Sequence, residues 1–264
     1  MSKVLLNSEV WHSVTKVQIE DFEVVDKILL RIILQAHSKT GHEWIYADCG
    51  KLNLKALIQI RRLMYLWHVL SRDEDELICR IYTAQSNCNN TGDWVRLVES
   101  DKAVLGITLT DEEIQGVSKN VFKNYVKKKV TIAHLKYLNG LKEKHLNCRE
   151  LKQAEYIQNS TFTTREKRLL FKLRSKTLDV KQNFPGLNKD PWCSSCGLFP
   201  ENQSHLLQCP ALVVHLDYLT GKTSTLNELF IYGNREQQQT IVNIFSDILE
   251  VRENLQQKVR NAEE

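Results

Sequence analysis

Apolar residues recur every three or four positions along most of this chain, which is the period of an α-helix. The first such stretch follows Thr15, and Thr15 with Gln18 forms the pattern of a capping box at its start. We expect an amphipathic helix here, with its apolar stripe packed against the rest of the chain. The stripe consists of Ile19, Phe22, Val25, Ile28, Leu29, Ile32 and Ile33.

A second helix is predicted roughly from Leu54 to Leu70, and it carries more apolar residues than a surface stripe needs. We therefore expect it to lie at the centre of the fold. Its apolar residues include Leu57, Ile58, Ile60, Leu63, Met64 and Trp67. The acidic cluster from Asp73 to Glu76 follows, and because negative charge favours a helix N-terminus, a short helix should begin there.

Two further capping boxes predict helix starts at Thr110, paired with Glu113, and at Thr163, paired with Glu166. The helix after Thr163 should run through Leu178. Helical spacing returns at the C-terminus, in Ile241, Ile244, Phe245, Ile248 and Leu249. Few stretches alternate with period two, so the sequence predicts an all-α, multi-helix bundle.

Charge is unevenly distributed along the 264 residues, although the net charge is only +4. The segment from Lys119 to Lys181 holds 17 Lys or Arg against 5 Asp or Glu, so the rest of the chain carries −8. A segregated basic block is typical of a polyanion partner, while the alternative is a solvated helix face. The candidate phosphate-binding residues are Lys127, Lys128, Lys129, Arg165, Lys167, Arg168, Lys172, Arg174 and Lys176.

Several classes of protein are disfavoured by composition. No apolar run is long enough to span a bilayer, and the N-terminus lacks the pattern of a secretory signal. We expect an intracellular protein, nuclear or cytoplasmic, that neither enters a membrane nor is secreted. Four of the seven cysteines are far apart in sequence, and in that environment they should be reduced thiols: Cys49, Cys79, Cys88 and Cys148.

The remaining three cysteines cluster with a histidine. Cys193 and Cys196 form a C-x2-C turn followed by Gly197, and His205 and Cys209 come next, four residues apart. On one helix that spacing would place the imidazole and thiolate on the same face, completing a closed tetrahedral site for a structural zinc ion. A redox C-x2-C pair is the alternative, but the βαβ pattern that usually accompanies one is absent. His215 is a possible substitute ligand.

All four prolines fall between Pro185 and Pro210, so regular helix must stop there. The sequence therefore divides into four predicted regions. These are an N-terminal helical region (1–110), a basic helical region (111–184), a zinc-binding module (185–215) and a C-terminal helical segment (216–264).

Two runs of sequence resemble a known family. They are TREKRLLFKLRSKTLDVKQNFPG (164–186) and PWCSSCGLFPENQSHLLQCP (191–210), and they resemble the zinc-binding region downstream of the reverse transcriptase in non-LTR retrotransposons. The segments 27–78 and 92–98 look like the helical region that follows the polymerase in such elements. This resemblance implies the ligands Cys193, Cys196, His205 and Cys209, and a role in binding template RNA or target DNA.

The catalytic parts of that family have no counterpart here. Its polymerase needs paired aspartates, but in the run Tyr46-Ala47-Asp48-Cys49 a cysteine stands in the place of the second aspartate. We expect this run to lie in a loop that links helices. Nor does the segment after Cys209 contain a nuclease motif.

These patterns lead to two hypotheses. The first is a non-catalytic, zinc-containing, nucleic-acid-binding fragment of a retroelement protein. Its partner would be RNA or DNA, and the absent polymerase region is a second candidate partner. It would have no small-molecule substrate. The second is a vestigial or domesticated helical module for protein interaction, in which zinc only stabilises the fold.

Overall fold

The computed structural model describes residues 7–11, 16–38, 40–88, 93–140, 150–186, 190–214 and 235–263. Within these residues the regular structure is helical and there is no β-strand, apart from one isolated antiparallel bridge between Trp192 and Pro200. The predicted all-α fold is confirmed. No helix among the described residues is both long enough and apolar enough to cross a membrane.

Helices make up most of the described part of the chain. They are α1 (Lys16–Leu34), α2 (His42–Cys49), α3 (Leu54–Leu70), α4 (Leu77–Asn87), α5 (Trp94–Leu105), α6 (Asp111–Gln115), α7 (Lys119–Gly140), α8 (Glu155–Gln158), α9 (Thr164–Arg174), α10 (Gln203–Leu206), α11 (Pro210–Val213) and α12 (Arg235–Glu263). Short 3-10 turns occupy Ser8–Val10 and Lys181–Asn183.

The chain forms two compact units. Unit 1 comprises Met1–Leu30 and Cys49–Gln153, and unit 2 comprises Arg31–Asp48 and Ala154–Glu264. Each unit is therefore assembled from two separate stretches of sequence. The two units are defined by the contacts within each of them. They do not test the four regions predicted from the sequence, which stay a prediction.

Helix α3 lies at the centre of unit 1, as its apolar composition predicts. It packs against α4, α5, α6, α7 and the turn Ser8–Val10. Leu63 and Leu66 of α3 are completely buried, together with Val98, Ile114 and Val126 from the surrounding helices. The helix begins and ends at the predicted residues, Leu54 and Leu70, and the Asn53 side chain caps its N-terminus by accepting from Ala56 N.

In unit 2, helix α9 packs against α8 and α12, and α12 also contacts α11. The apolar faces of the two longer helices are buried, at Leu170, Phe171 and Leu173 of α9 and at Ile244, Phe245 and Ile248 of α12. The C-terminal helix predicted from the spacing of apolar residues is thus confirmed.

The capping boxes at Thr110 and Thr163 both form, with the threonine hydroxyl and the glutamate carboxylate each accepting a backbone N–H. The predicted box at Thr15 lies outside the described residues. The prediction that the helix after Thr163 reaches Leu178 is wrong. It ends at Arg174 because Lys176 adopts the left-handed region, with φ of 53°.

The orientation of α1 also differs from the prediction. Six of the seven residues of the predicted apolar stripe are exposed, and only Ile19 packs inward, against Leu54 and Ile58. The buried side of α1 instead holds two carboxylates, Glu23 and Asp26. Glu23 is held there by polar contacts, because its carboxylate accepts from Lys55 N at 3.5 Å and pairs with Lys27 at 3.1 Å.

Candidate metal centre

The first two candidate ligands lie on a tight turn. Cys193 N donates to the carbonyl of Phe199, and Gly197 N donates to the carbonyl of Cys193, both at 2.8 Å. Gly197 has φ of 66°, a conformation that costs glycine little and other residues more. The glycine after the C-x2-C pair therefore closes the turn as predicted, and Cys193 and Cys196 face the same centre.

The other two ligands come from separate short helices, which corrects the predicted single helix. His205 lies in α10, where the Asn202 side chain accepts from His205 N at 2.7 Å. Cys209 is the residue before α11, and its ψ of 119° is extended. The break follows from Pro210, because proline disfavours α-helical geometry at the residue before it.

All four ligand atoms lie within 4.8 Å of one another. Cys193 Sγ lies 3.8 Å from Cys209 Sγ, and Cys196 Sγ lies 3.3 Å from His205 Nε2. Cys193, Cys209 and His205 are buried. This group can hold a metal ion, and no other group of three or more His, Cys, Asp or Glu side chains with such geometry occurs among the residues described.

The thiols of the cluster differ in acidity. Burial raises the pKa of Cys209 to about 12, with a further contribution from neighbouring Cys193. Burial also acts to raise the pKa of Cys196. Hydrogen bonds to its sulfur, including those from the backbone N–H groups of Leu198 and Phe199, outweigh this effect, so the pKa of Cys196 is lowered. A bound cation would favour the thiolate form of each cysteine.

The buried side chain of Glu201 stabilises the turn that carries Cys193 and Cys196. This role was not predicted from the sequence. The side chain of Glu201 is fully buried and accepts from Ser194 N at 3.3 Å and from Lys181 N at 3.2 Å. Arg252 of α12 pairs with the same carboxylate at 2.5 Å. Glu201 thus connects the turn between Cys193 and Cys196 to the C-terminal helix. The only signal in the sequence is an acidic residue inside the cysteine cluster, which does not specify a partner.

The candidate phosphate-binding residues on and after α9 are less available than predicted. Arg174 pairs with Asp48 at 3.0 Å and Lys172 with Asp179 at 2.6 Å. Lys167 Nζ donates to the carbonyl of Ile157 at 2.9 Å, and Arg168 Nε to that of Ile33 at 3.5 Å. Of these six predicted phosphate-binding residues only Arg165 and Lys176 are exposed, and the other four are half-buried.

The lysines of α7 are more open. Lys127 and Lys128 are exposed, whereas Lys129 donates to the carbonyl of Gly106 at 2.7 Å. Three further lysines of α7 are exposed and were not among the nine candidate residues, namely Lys119, Lys123 and Lys136. Helix α7 contains no Asp or Glu, a signal that was present in the sequence.

Asp48, the only carboxylate of the run that resembles a polymerase motif, has a structural role. The run lies in α2, not in the predicted loop, and Asp48 is 2% exposed. Its carboxylate accepts from Tyr156 Oη at 2.7 Å and from two nitrogens of Arg174, at 3.0 and 3.1 Å. These hydrogen bonds join α2 to α8 and α9 within unit 2.

The other cysteines described form no disulfide. Cys79 is buried and its Sγ donates to the carbonyl of Val69 at 3.2 Å, while Cys49 is half-buried and Cys88 exposed. Cys148 and the alternative ligand His215 lie outside the described residues. Comparison of the chain with protein-family models, with curated proteins and with solved structures finds no match.

Proposed function

We propose that this chain is a non-catalytic nucleic-acid-binding module that contains one structural zinc ion. The observation that carries the binding proposal is helix α7, whose 22 residues include six lysines and no carboxylate. The resemblance to the region after the reverse transcriptase of non-LTR retrotransposons agrees with this function. It suggests that RNA or target DNA is the partner.

Zinc is supported by the geometry and chemistry of the donor set. Tetrahedral Zn²⁺ with bonds of ~2.3 Å to sulfur and ~2.0–2.1 Å to nitrogen separates its ligand atoms by about 3.5–3.8 Å. The separations of 3.8 Å and 3.3 Å in the cluster are close to those values. Three thiolates and an imidazole fill all four positions, so such a zinc ion has no open position for a substrate and acts structurally.

The lysines of α7 are arranged for contact with phosphates. Lys119, Lys123 and Lys127 follow one another at intervals of four residues, which is about 6 Å along the helix axis. Lys128 is exposed beside them. Lys123, Lys127 and Lys128 have no ion-pair partner among the residues described. Because these charges are not neutralised within the protein, they can displace counterions from a phosphate backbone, which gives affinity without sequence preference.

The lack of catalytic activity is also a proposal. It is supported at Asp48, because a carboxylate already engaged by Arg174 and Tyr156 is not available to hold catalytic metal ions. Primer extension or strand cleavage by the purified chain, lost on Asp48→Asn, would contradict it.

The second candidate function, protein interaction, is favoured by two observations. The cations of α9 are mostly engaged within unit 2, and α1 exposes a row of large apolar side chains. On this view the excess of lysine on α7 only keeps the protein in solution.

Filter binding to RNA and to duplex DNA over a salt series separates the two. The test variant is Lys119→Glu/Lys123→Glu/Lys127→Glu. The control, Arg80→Glu/Arg235→Glu/Lys258→Glu, has the same change in net charge at exposed positions on α4 and α12. We expect the test variant to bind roughly tenfold more weakly or worse, with a salt slope reduced by about 3 because three phosphate contacts are lost.

The control variant should lose much less affinity. Equal losses in the two variants would mean that net charge alone governs binding and that α7 is not the binding face. If the parent protein binds neither nucleic acid at low salt, the interaction function becomes the better proposal.

A further inference from the structure

A cavity of about 560 Å³ lies inside unit 1, between α1, α3, α5 and α7. Its inner wall consists of five buried residues: Glu23, Ala56, Gln59, Val130 and His134. Val104 and Tyr137, which are 66% and 50% exposed, also line the cavity, so it opens to solvent. Sites for small molecules in proteins are concave, mostly apolar and of about this size.

The lining of the cavity carries more negative than positive charge. Among the described residues that line it, the charged ones are Glu20 and Glu23 of α1 and Lys55 of α3. Glu23 is buried, whereas Glu20 and Lys55 are exposed at the rim. An anionic ligand therefore fits poorly, since inside the cavity it would lie against a buried carboxylate.

The carboxylate of Glu23 can accept further hydrogen bonds. Its Oε2 pairs with Lys27 Nζ at 3.1 Å, and its Oε1 lies 3.5 Å from Lys55 N, at the limit of a hydrogen bond. A carboxylate has about four acceptor positions, so these two contacts leave capacity for a donor inside the cavity. A positively charged donor is favoured over a neutral one, because charge-assisted hydrogen bonds are the stronger.

The other side chains of the lining favour a flat, apolar body. The rings of His134 and Tyr137 stack, with their centroids 6.0 Å apart and 25° between their planes. Burial lowers the pKa of His134, so its ring is neutral at pH 7 and does not repel a cation. Ile19, Val130 and Ala133 are apolar. An aromatic ring can pack against Tyr137, and a cation near the face of that side chain gains a further attraction.

We propose that this cavity binds a small organic cation, an amine carried on an aromatic body. The ammonium group donates to Glu23, and the aromatic ring packs against Tyr137. Apolar residues of α1, α5 and α7 surround the rest of the ligand. This proposal is independent of nucleic-acid binding, because none of the lysines of α7 lines the cavity.

Three probes of similar size test the role of charge: phenethylamine, phenethyl alcohol and phenylacetate, which are cationic, neutral and anionic at pH 7. Binding to the zinc-loaded full chain is measured by NMR, as shifts of the backbone amides of residues 53–59 and 130–137. The amine should bind roughly fivefold more tightly than the alcohol, or better, because a hydrogen bond between charged groups is the stronger. Phenylacetate should bind most weakly.

Two variants, each with a matched control, test the position of the site. Glu23→Gln should remove the preference for the amine, whereas Asp21→Asn, the same change in charge at an exposed position of α1 outside the cavity, should keep it. Val104→Trp should weaken binding of the amine about tenfold or more, because the large indole can occupy the mouth of the cavity. Val121→Trp, at a valine of α7 that is 58% exposed and lies outside the cavity, should not.

Any of four results would overturn the proposal. They are no binding of phenethylamine at millimolar concentration, equal binding of the amine and the alcohol, a preference for the amine that survives in folded Glu23→Gln, and binding that survives Val104→Trp. Far-UV circular dichroism checks that each variant is folded. If Glu23→Gln loses helix, the three probes with the parent protein and with Val104→Trp decide, since neither comparison depends on that variant.

Discussion

Several buried charged side chains among the described residues have partners of opposite charge. Arg62 pairs with Asp101 in unit 1, and in unit 2 Arg174 pairs with Asp48 and Arg252 with Glu201. Removing one member of such a pair leaves the other charge buried and uncompensated, which costs more than the pair contributes. At the scale of residues, these three carboxylates stabilise the fold.

His134 is a buried residue whose charge changes near neutral pH. It is 3% exposed, and its Nε2 donates to the carbonyl of Lys51 at 3.2 Å. Burial lowers the pKa of His134, and the bond to Lys51 and the charge of Glu23 only partly offset this. The folded protein therefore keeps the imidazole neutral at pH values where the unfolded chain is already protonated.

This gives a prediction for stability. The contribution of neutral His134 is fully present above the unfolded pKa of about 6.5 and is lost as the pH falls from there towards the lowered, folded pKa. Unfolding should become easier as the pH falls below about 6.5, by at most about 1.4 kcal/mol per pH unit from this residue. His134→Gln should remove that part of the slope, whereas His68→Gln, at a half-buried position on α3, should retain it. Identical slopes in the parent and His134→Gln would refute the assignment.

At the scale of elements, the carboxylate of Glu201 connects α12 to the metal-binding turn. Arg252 of α12 donates to Glu201 and to the carbonyl of Asp179 at 3.1 Å, while Glu201 accepts from Ser194 N between the two cysteines of the turn. The position of the turn is thus coupled to the position of α12.

We predict that Glu201→Ala destabilises unit 2 by about 3 kcal/mol, because Arg252 is left without its counter-charge. Metal affinity should fall tenfold or more, since residues that orient a site typically have effects of that size. Chemical denaturation and competition with a chelator measure the two quantities. Glu253→Gln, an exposed neighbour of Arg252 on α12, is the control. Unchanged metal affinity in Glu201→Ala would show that the turn is independent of α12.

At the scale of the whole molecule, the two units should respond differently to loss of metal. All four ligands belong to unit 2, whereas the apolar core around α3 is built from residues of unit 1. A structural metal contributes its binding free energy to the folding of the part of the chain that holds it.

Removing the metal with a chelator, or by Cys196→Ser, should therefore increase amide hydrogen exchange in residues 190–214. Exchange in α3, α5 and α7 should change little. Metal analysis of protein purified without chelator should find about one zinc per chain, as expected for one tetrahedral site. Less than half an equivalent would count against the zinc proposal, and equal loss of protection in both units would count against the separation of their stabilities.

The sequence by itself determined the local features of this protein. Periodicity predicted α3 and its central position, because a helix with more apolar residues than a surface stripe needs has to bury them. The boxes at Thr110 and Thr163 were predictable because a capping box is a contact between residues three apart. The spacing of the four ligands was enough to predict the metal cluster, since all of them lie within 17 residues.

Only the tertiary structure decided what depends on residues distant in sequence. The orientation of α1 follows from the contact of Glu23 with Lys55 N at the start of α3. The burial of Arg174 follows from its pairing with Asp48, 126 positions away. The role of Glu201 follows from Arg252, 51 positions away. Periodicity shows that a helix has two faces, but which face is buried, and which cations are neutralised, depends on the side chains that folding brings against them.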